Sequence, residues 1–325
     1  MQETIVHTNI QAQFERDVRQ GLTDFPKHLS SKYFYDKKGD SLFKKIMHMP
    51  EYYLTDCEFD ILSRYKSEIG ALFASDKQAF KLIELGAGDG KKTKILLKHF
   101  TEQGLPFKYQ PIDISQNILN ELEKSLAKEL PKLKVVPKQG TYFEALKEIS
   151  DENGTRKVIL FLGSNIGNLL HDQAIEFLKS VNELMKGDDL FFLGCDLKKN
   201  PQTILDAYND PAGITEAFNK NILARINAEL GGNFDLDNFL HWEVYDPESG
   251  TAKSFLVSKK AQTVTIAKLD LEVSFSPWET IHTEISQKYD DATVKWLAEQ
   301  SGMEVCEEFT DKNSFYKNYV LRTLG

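Results

Sequence analysis

Phe80-Lys81-Leu82-Ile83-Glu84-Leu85-Gly86-Ala87-Gly88-Asp89-Gly90-Lys91-Lys92-Thr93 is the stretch that decides the fold. Its first six residues, mostly apolar, have the length of a buried strand. Three glycines follow, and Ile95, Leu96 and Leu97 stand in a helix behind them. Glycine lets the backbone turn tightly and come close to a ligand, so the order strand, glycine loop, helix favours a bound nucleotide-type molecule over a plain βα turn. Two phosphate-binding readings fail on particular residues. Gly86 and Gly88 satisfy the start of a GxGxxG dinucleotide fingerprint, but Lys91 occupies the third glycine position. Gly90-Lys91 fits the end of a Walker A loop, but Lys92 replaces the magnesium-binding hydroxyl residue and Leu85 the first glycine. Asp89 puts a carboxylate at the helix N-terminus, where a pyrophosphate would otherwise sit. That charge suits a cationic ligand without phosphate.

Outward from this loop the pattern repeats. Strands are predicted at Phe107–Ile114, Leu133–Pro137, Lys157–Leu162 and Leu190–Asp196, with a helix through Ile118, Leu119, Leu122 and Leu126 and another over Asp172–Met185. Apolar runs alternating with helices argue βαβ units and a parallel sheet covered on both faces. Before the sheet, Asp40–Met49 has helical spacing behind a possible Asp40 cap and ends at Pro50, and a second helix is predicted over Asp56–Ile69. The rhythm breaks at Lys198. Residues 198–282 read as an α+β insertion, with a helix over Thr215–Leu230, the pair Gly231-Gly232, and strands near His241–Tyr245, Lys253–Val257, Gln262–Ile266 and Leu271–Phe275. A helix over Ala292–Ser301 and strands at Met303–Thr310 and Phe315–Leu321 then complete the first sheet. The expected class is α/β, with one domain over 61–197 and 287–325 and a second over 1–60 and 198–286.

Composition limits the partners. The 325 residues carry 40 Lys+Arg against 49 Asp+Glu, a net charge of −9, which gives no general attraction to nucleic acid. Cys57, Cys195 and Cys306 form neither a disulfide framework nor a zinc pattern, as expected of reduced thiols in a cytoplasmic protein. The first 20 residues lack the basic start and apolar run of a leader, and no apolar run reaches the ~18 residues of a membrane span. No HExxH or other metal-ligand spacing occurs, and Gly163-Ser164 is not a nucleophile elbow. No obligate protein partner is evident.

Ligand chemistry can be narrowed further. S-adenosylmethionine carries a sulfonium and an ammonium group, and the pattern from Glu84 to Gly90 resembles the first motif of class I S-adenosylmethionine-dependent methyltransferases. Asp113 closes the second strand 23 positions after Gly90, where an acidic residue grips a ribose diol. Several further segments together resemble the histidine-specific methyltransferase family: Tyr35–Phe43, Pro50–Thr55, Pro111–Ser115, Phe161–Asn168, Asp206–Asp210 with Ala217–Asn219, and Thr283–Tyr289. The resemblance runs from about Phe25 to Leu324. It implies a class I methyltransferase (Rossmann-like) sheet with an inserted α+β substrate domain, and transfer of methyl groups from S-adenosylmethionine to the α-nitrogen of histidine, giving the trimethylated betaine (hercynine) used in ergothioneine synthesis.

The resemblance also implies residue roles. Cofactor binding falls to Glu84, Gly86, Gly88, Lys92, Asp113, Thr141 and Tyr142, and substrate binding to Tyr52, Asn168, Tyr208, Glu284 and Ser286, with Tyr35 near the amine; Tyr35 and Asn168 are the candidate catalytic pair. These residue types fit the chemistry. An in-line displacement mainly needs a neutral amine at near-attack distance, and an α-amine loses its proton near pH ~8, so no strong base is obligatory. Glu284 and Ser286 are two apart and face one side of a strand, where Glu284 could accept an imidazole N–H. Ser254 is a departure: a methionine commonly lines the family's side-chain pocket at that place. The alternatives are another aromatic amino acid as substrate, a non-catalytic binding module for S-adenosylmethionine or an amino acid, and a small-molecule oxidoreductase.

Overall fold

A computed structural model describes residues 2–75, 78–144, 147 and 155–325. The chain divides into two compact units, Met1–Tyr53 with Lys199–Ser286, and Leu54–Lys198 with Gln287–Gly325. Residues 54–60, expected with the insertion, fall with the sheet, because the helix that begins at Leu54 carries the fully buried Glu58 into that unit.

In chain order the strands are β1 (Phe80–Leu85), β2 (Phe107–Asp113), β3 (Lys138–Gln139), β4 (Arg156–Phe161), β5 (Leu190–Asp196), β6 (Phe239–Asp246), β7 (Thr251–Ser258), β8 (Gln262–Ile266), β9 (Leu271–Phe275), β10 (Thr280–Gln287), β11 (Met303–Thr310) and β12 (Tyr316–Thr323). The helices are α1 (Gln2–Thr23), α2 (Lys37–Ile46), α3 (Leu54–Arg64), α4 (Lys66–Phe73), α5 (Thr93–Glu102), α6 (Gln116–Glu129), α7 (His171–Leu184), α8 (Pro201–Tyr208), α9 (Ile214–Leu230) and α10 (Asp291–Gln300).

The larger sheet has the order β11-β12-β5-β4-β1-β2-β3. Strands β1 to β5 pair in parallel, while β12 runs antiparallel to both β5 and β11. Counted within the sheet this is 3-2-1-4-5-7-6, the class I methyltransferase arrangement, with the C-terminal hairpin completing the edge as the sequence predicted. Every residue of β1, β4 and β5 is buried, which explains why their sequences show no polar alternation. The two basic residues that open β4 fit this because they serve helix ends: Arg156 donates to the Phe73 carbonyl at 2.7 Å and Lys157 to the Leu184 carbonyl at 2.6 Å, placing cations at the C-termini of α4 and α7.

Two local expectations are corrected. The third strand does not occupy Leu133–Pro137. Val135 makes only an isolated bridge to Tyr109, and the ladder forms at Lys138 and Gln139, opposite Ile112 and Asp113. Pro137 has no N–H to donate, so regular pairing begins after it. The cap of α2 is Asp36 rather than Asp40: its carboxylate accepts the Gly39 N–H at 2.7 Å, and Asp40 lies in the first turn. The helix ends at Ile46, four residues before Pro50, whose ring would clash with that carbonyl. The segment predicted as one helix over Asp56–Ile69 is two, α3 and α4, meeting at Tyr65.

The other unit holds a three-stranded sheet, β10-β7-β6, and the hairpin β8-β9. Burial alternates along β6, β8 and β9, as expected for antiparallel strands with one face on a core. That core joins Phe14, Val18, Phe34, Phe218, Ile222, Phe239, Leu256 and Ile281. Helix α9 is held at both ends: Asp210 accepts the Ile214 and Thr215 N–H groups at 3.0 and 2.7 Å, and Gly231, at φ 67°, ends it.

Candidate functional site

The loop after β1 turns its backbone donors inward. Gly86 and Ala87 donate to the Ile112 carbonyl at 2.9 and 3.2 Å, Gly88 to Asp113 Oδ2 at 3.2 Å, and Gly90 to the Ala87 carbonyl at 3.1 Å. Lys91 donates to Asp89 Oδ1 at 3.1 Å. A phosphate-binding loop needs such amides aimed at the ligand. Here three of them fasten the loop to the end of β2, and the Gly90 and Lys91 amides bond within the loop. Gly86, Gly88 and Gly90 all have positive φ, at 72°, 54° and 66°. They differ in what surrounds them. A Cβ at Gly86 would lie 2.8 Å from the Tyr142 hydroxyl and one at Gly90 would lie 2.5 Å from Leu122 Cδ1, whereas one at Gly88 would meet nothing within 4 Å. Gly88 is therefore where the backbone opens for close approach. It stands beside the Asp113 carboxylate, which also accepts the Ser115 N–H at 2.9 Å. An acid fixed at the strand end next to an open glycine fits a ribose diol and a cationic ligand.

Tyr142 reaches the loop from the segment after β3. Its ring packs edge-on against Phe161 at 5.5 Å, its hydroxyl rests over Gly86, and burial pushes its pKa up to about 12, so it stays protonated. Thr141 donates through its hydroxyl to Glu144 at 2.6 Å, fixing the turn. Gly86, Gly88, Asp113, Thr141 and Tyr142 thus gather at the carboxyl ends of β1, β2 and β3.

Glu84 and Lys92 both make contacts within the protein. Glu84 is buried beneath the loop and accepts hydrogen bonds from Thr93 (2.5 Å) and from Tyr109. It locks β1 to α5 and β2. The Lys92 ammonium reaches Glu58. Burial raises Glu84 from its ordinary 4.5 to about 7, and nearby Glu58 adds to the rise while the bonds from Thr93 and Tyr109 oppose it. Between those values the folded chain keeps a proton that the unfolded chain has released. Stability therefore falls as pH rises from about 4.5 to about 7, by at most about 3 kcal/mol, then levels off. Glu84→Gln is expected to flatten this fall, so that the variant gains about 1–3 kcal/mol relative to the parent between about pH 5 and pH 8. Urea unfolding at both pH values measures it, and parallel losses in both proteins would refute it.

Asn168 ends a short 3-10 turn, Asn165–Asn168, after β4. The turn is entered through two consecutive left-handed residues, Gly163 (φ 75°) and Ser164 (φ 57°). Ser164 is held there because its hydroxyl accepts the Asp196 N–H at 3.0 Å. Tyr289 donates to the Ile166 carbonyl at 3.1 Å, and a Cβ at Gly167 would lie 2.9 Å from the Gln287 carbonyl oxygen. The fully buried Lys288–Asp196 ion pair, at 2.8 Å, ties the same region together. A buried, over-determined turn thus presents an exposed Asn168.

In the other unit, Tyr208 ends α8, and its hydroxyl meets the Ser286 hydroxyl of β10 at 2.6 Å. Its carbonyl accepts from His241 Nε2 at 2.9 Å, while Asn219 Nδ2 donates to His241 Nδ1 at 2.8 Å. Burial lowers the His241 pKa, keeping the ring neutral, as this donor–acceptor arrangement requires. The Asp206–Asp210 and Ala217–Asn219 segments thereby gain a physical meaning: one carries Tyr208 and the cap of α9, the other the amide that orients His241. Tyr52 packs against Ile204, Ala207, Tyr208 and Ala252. Tyr35, 44% exposed, sets its ring edge-on against Phe43 (5.5 Å) and Phe218 (5.4 Å), and Phe43 touches Tyr52 at 6.4 Å. Ser254 is buried and donates to Glu243 Oε2 at 2.6 Å, so its hydroxyl serves a cross-strand pair. Glu284 is half-buried two residues before Ser286.

The sequence reading missed Glu58, His241, Asn219 and Glu243 as supporting groups. Asn219 alone stood in a segment already singled out. Among the described residues, no helix is long and apolar enough to cross a membrane, and no three of His, Cys, Asp and Glu cluster to hold a metal.

Comparison with known proteins adds the following. The family described as "Histidine-specific methyltransferase, SAM-dependent" matches residues 14–323. A histidine N-alpha-methyltransferase of Mycolicibacterium smegmatis is 36% identical over 296 residues, covering 91% of this chain and 90% of the relative. One from Mycobacterium tuberculosis is 35% identical over 297 residues, covering 91% of each. Ergothioneine biosynthesis protein 1 of Schizosaccharomyces pombe is 31% identical over 302 residues, covering 90% of this chain and 38% of that longer protein.

Proposed function

The chain belongs to the histidine-specific, S-adenosylmethionine-dependent methyltransferase family, and from that premise we propose that it methylates the α-nitrogen of L-histidine three times, giving the betaine hercynine. The observation that carries this reading is the joining of Tyr208 to Ser286 at 2.6 Å, beside Glu284 on the same strand. These are the groups expected to recognise the amino acid, and a neutral His241 holds the first of them in place. Ergothioneine biosynthesis is the pathway that the fungal relative's name supports.

S-adenosylmethionine, when bound, supplies the methyl group on a sulfonium. Gly86, Gly88, Asp113 and the Thr141–Tyr142 turn would hold it, and the Asp113 carboxylate would suit its ribose diol. The family resemblance gives Asn168, and separately Tyr208, the role of donor to a substrate carboxylate. Glu284 accepts an imidazole N–H, and Ser286 completes that grip. Tyr35 offers a hydroxyl that orients the amine lone pair. The amine loses its proton near pH ~8 without a strong base, so the protein's main contribution is placing it in line with the methyl group.

A second reading is another aromatic amino acid as substrate, although the Ser254 hydroxyl, the departure that suggests it, is engaged by Glu243. Incubation with S-adenosylmethionine and each amino acid in turn, with mass spectrometry of products, separates the two. Successive gains of one, two and three methyl groups on histidine are expected. Unmodified histidine alongside conversion of another amine overturns the histidine assignment. Binding without turnover of any amine returns the non-catalytic reading, and binding of a dinucleotide in place of S-adenosylmethionine returns the oxidoreductase.

A further inference from the structure

Glu58 has no place in the roles assigned so far, yet it is 0% exposed and lies at the centre of the sheet unit. Four donors converge on its carboxylate. The Lys92 ammonium and the Gly163 N–H (2.8 Å) bond Oε2, while the Tyr316 hydroxyl (3.1 Å) and the Asn318 amide (3.0 Å) bond Oε1. Together they fill the roughly four lone-pair sites of a carboxylate. The surroundings are shaped for the group. A Cβ at Gly194 in β5 would lie 2.4 Å from both Glu58 Oε1 and the Tyr316 hydroxyl, and one at Gly163 would lie 3.2 Å from the Lys92 ammonium.

The donors come from the two sides of one crevice. Lys92 ends the glycine loop at the start of α5. Gly163 follows β4 and opens the turn that presents Asn168. Strands β1 and β4 are neighbours at the centre of the sheet, and their crossover helices leave toward opposite edges, to β2 and to β5. Ligands of doubly wound sheets bind in the crevice that this divergence creates. A buried carboxylate costs stability unless fully paired, and an apolar side chain of similar volume would often hold the core as well. Glu58 bonds both walls at once.

We propose that Glu58 is a positioning residue for the cofactor: it fixes the spacing between the glycine loop and Gly163, and so sets the affinity for S-adenosylmethionine more than for the amino acid, because the Asn168 end of the turn is held separately by the Asp196–Ser164 and Tyr289–Ile166 bonds. This rests on reading the crevice as the S-adenosylmethionine site. Tyr316 and Asn318 hold the carboxylate from the far side, and Gly194 leaves it room.

The test uses the full chain as parent, Glu58→Gln and Tyr316→Phe. S-adenosylhomocysteine affinity is measured by calorimetry, and the KM of each substrate and kcat are measured at saturation of the other. For Glu58→Gln the expected result is a tenfold or greater rise in the S-adenosylhomocysteine Kd and the S-adenosylmethionine KM, with the histidine KM and the saturated kcat within threefold of the parent. Tyr316→Phe removes a single donor and should shift the same two quantities two- to fivefold. Melting with and without ligand establishes that each variant is folded under assay conditions. Should Glu58→Gln not fold, Tyr316→Phe decides the matter alone. A folded variant with unchanged cofactor affinity, or with equal losses for both substrates, overturns the proposal. A parent that binds no S-adenosylhomocysteine overturns the cofactor reading instead.

Discussion

Asp113→Ala is expected to weaken S-adenosylhomocysteine binding by about two orders of magnitude. Two hydrogen bonds from a ribose diol to a carboxylate contribute roughly 1.5–3 kcal/mol each, and 2.7 kcal/mol is already a hundredfold in affinity. The same substitution frees the Gly88 and Ser115 N–H groups, which Asp113 holds at 3.2 and 2.9 Å, so the loop loses part of its shape before any ligand arrives. Asp113→Asn keeps an acceptor and should fall between the two. Calorimetric titration measures all three proteins, and an alanine variant within threefold of the parent would remove Asp113 from the cofactor site. The histidine KM at saturating cofactor should change little, since Asp113 is assigned to the cofactor's ribose and not to the amino acid.

Glu284→Ala should give the complementary result. The histidine KM is expected to rise about ten- to a hundredfold, the worth of a charge-assisted hydrogen bond to an imidazole N–H, while S-adenosylhomocysteine affinity stays within twofold. Selectivity should narrow at the same time. A phenyl side chain offers Glu284 no N–H to accept, so truncation to alanine costs histidine more than phenylalanine. The kcat/KM ratio of histidine to phenylalanine is the measurement. Equal losses of cofactor affinity and histidine affinity would argue against an imidazole contact. Glu284→Gln, which keeps an acceptor but not the charge, should lose less than alanine.

The features legible in the sequence are those that depend on neighbours in the chain. Apolar runs at Phe80–Leu85, Lys157–Leu162 and Leu190–Asp196 are strands within one residue of β1, β4 and β5, because strands buried on both faces need no long-range information to be recognised. The place of the glycine loop after β1 and of Asp113 at the end of β2 is legible for a similar reason, since it depends on a short spacing. The third strand was misplaced because its position depends on where β2 offers partners and on the missing N–H of Pro137. Glu84 stands in the motif, and the resemblance implies a cofactor role for it. Only the packing of Thr93 and Tyr109 against it shows that it points under the loop.

By itself, then, the sequence determined the class of the sheet, the glycine loop with its acidic strand end, and the resemblance that names the reaction, all of them set by local pattern and short spacing. The tertiary structure alone decided which polar groups meet one another and hold the walls in place. Glu58 meets Lys92, Gly163, Tyr316 and Asn318 across as many as 260 positions of chain, and His241 meets Tyr208 across 33. Such pairings leave no periodic trace, because a hydrogen bond is satisfied by proximity in space, and proximity at that separation exists only once the core has closed.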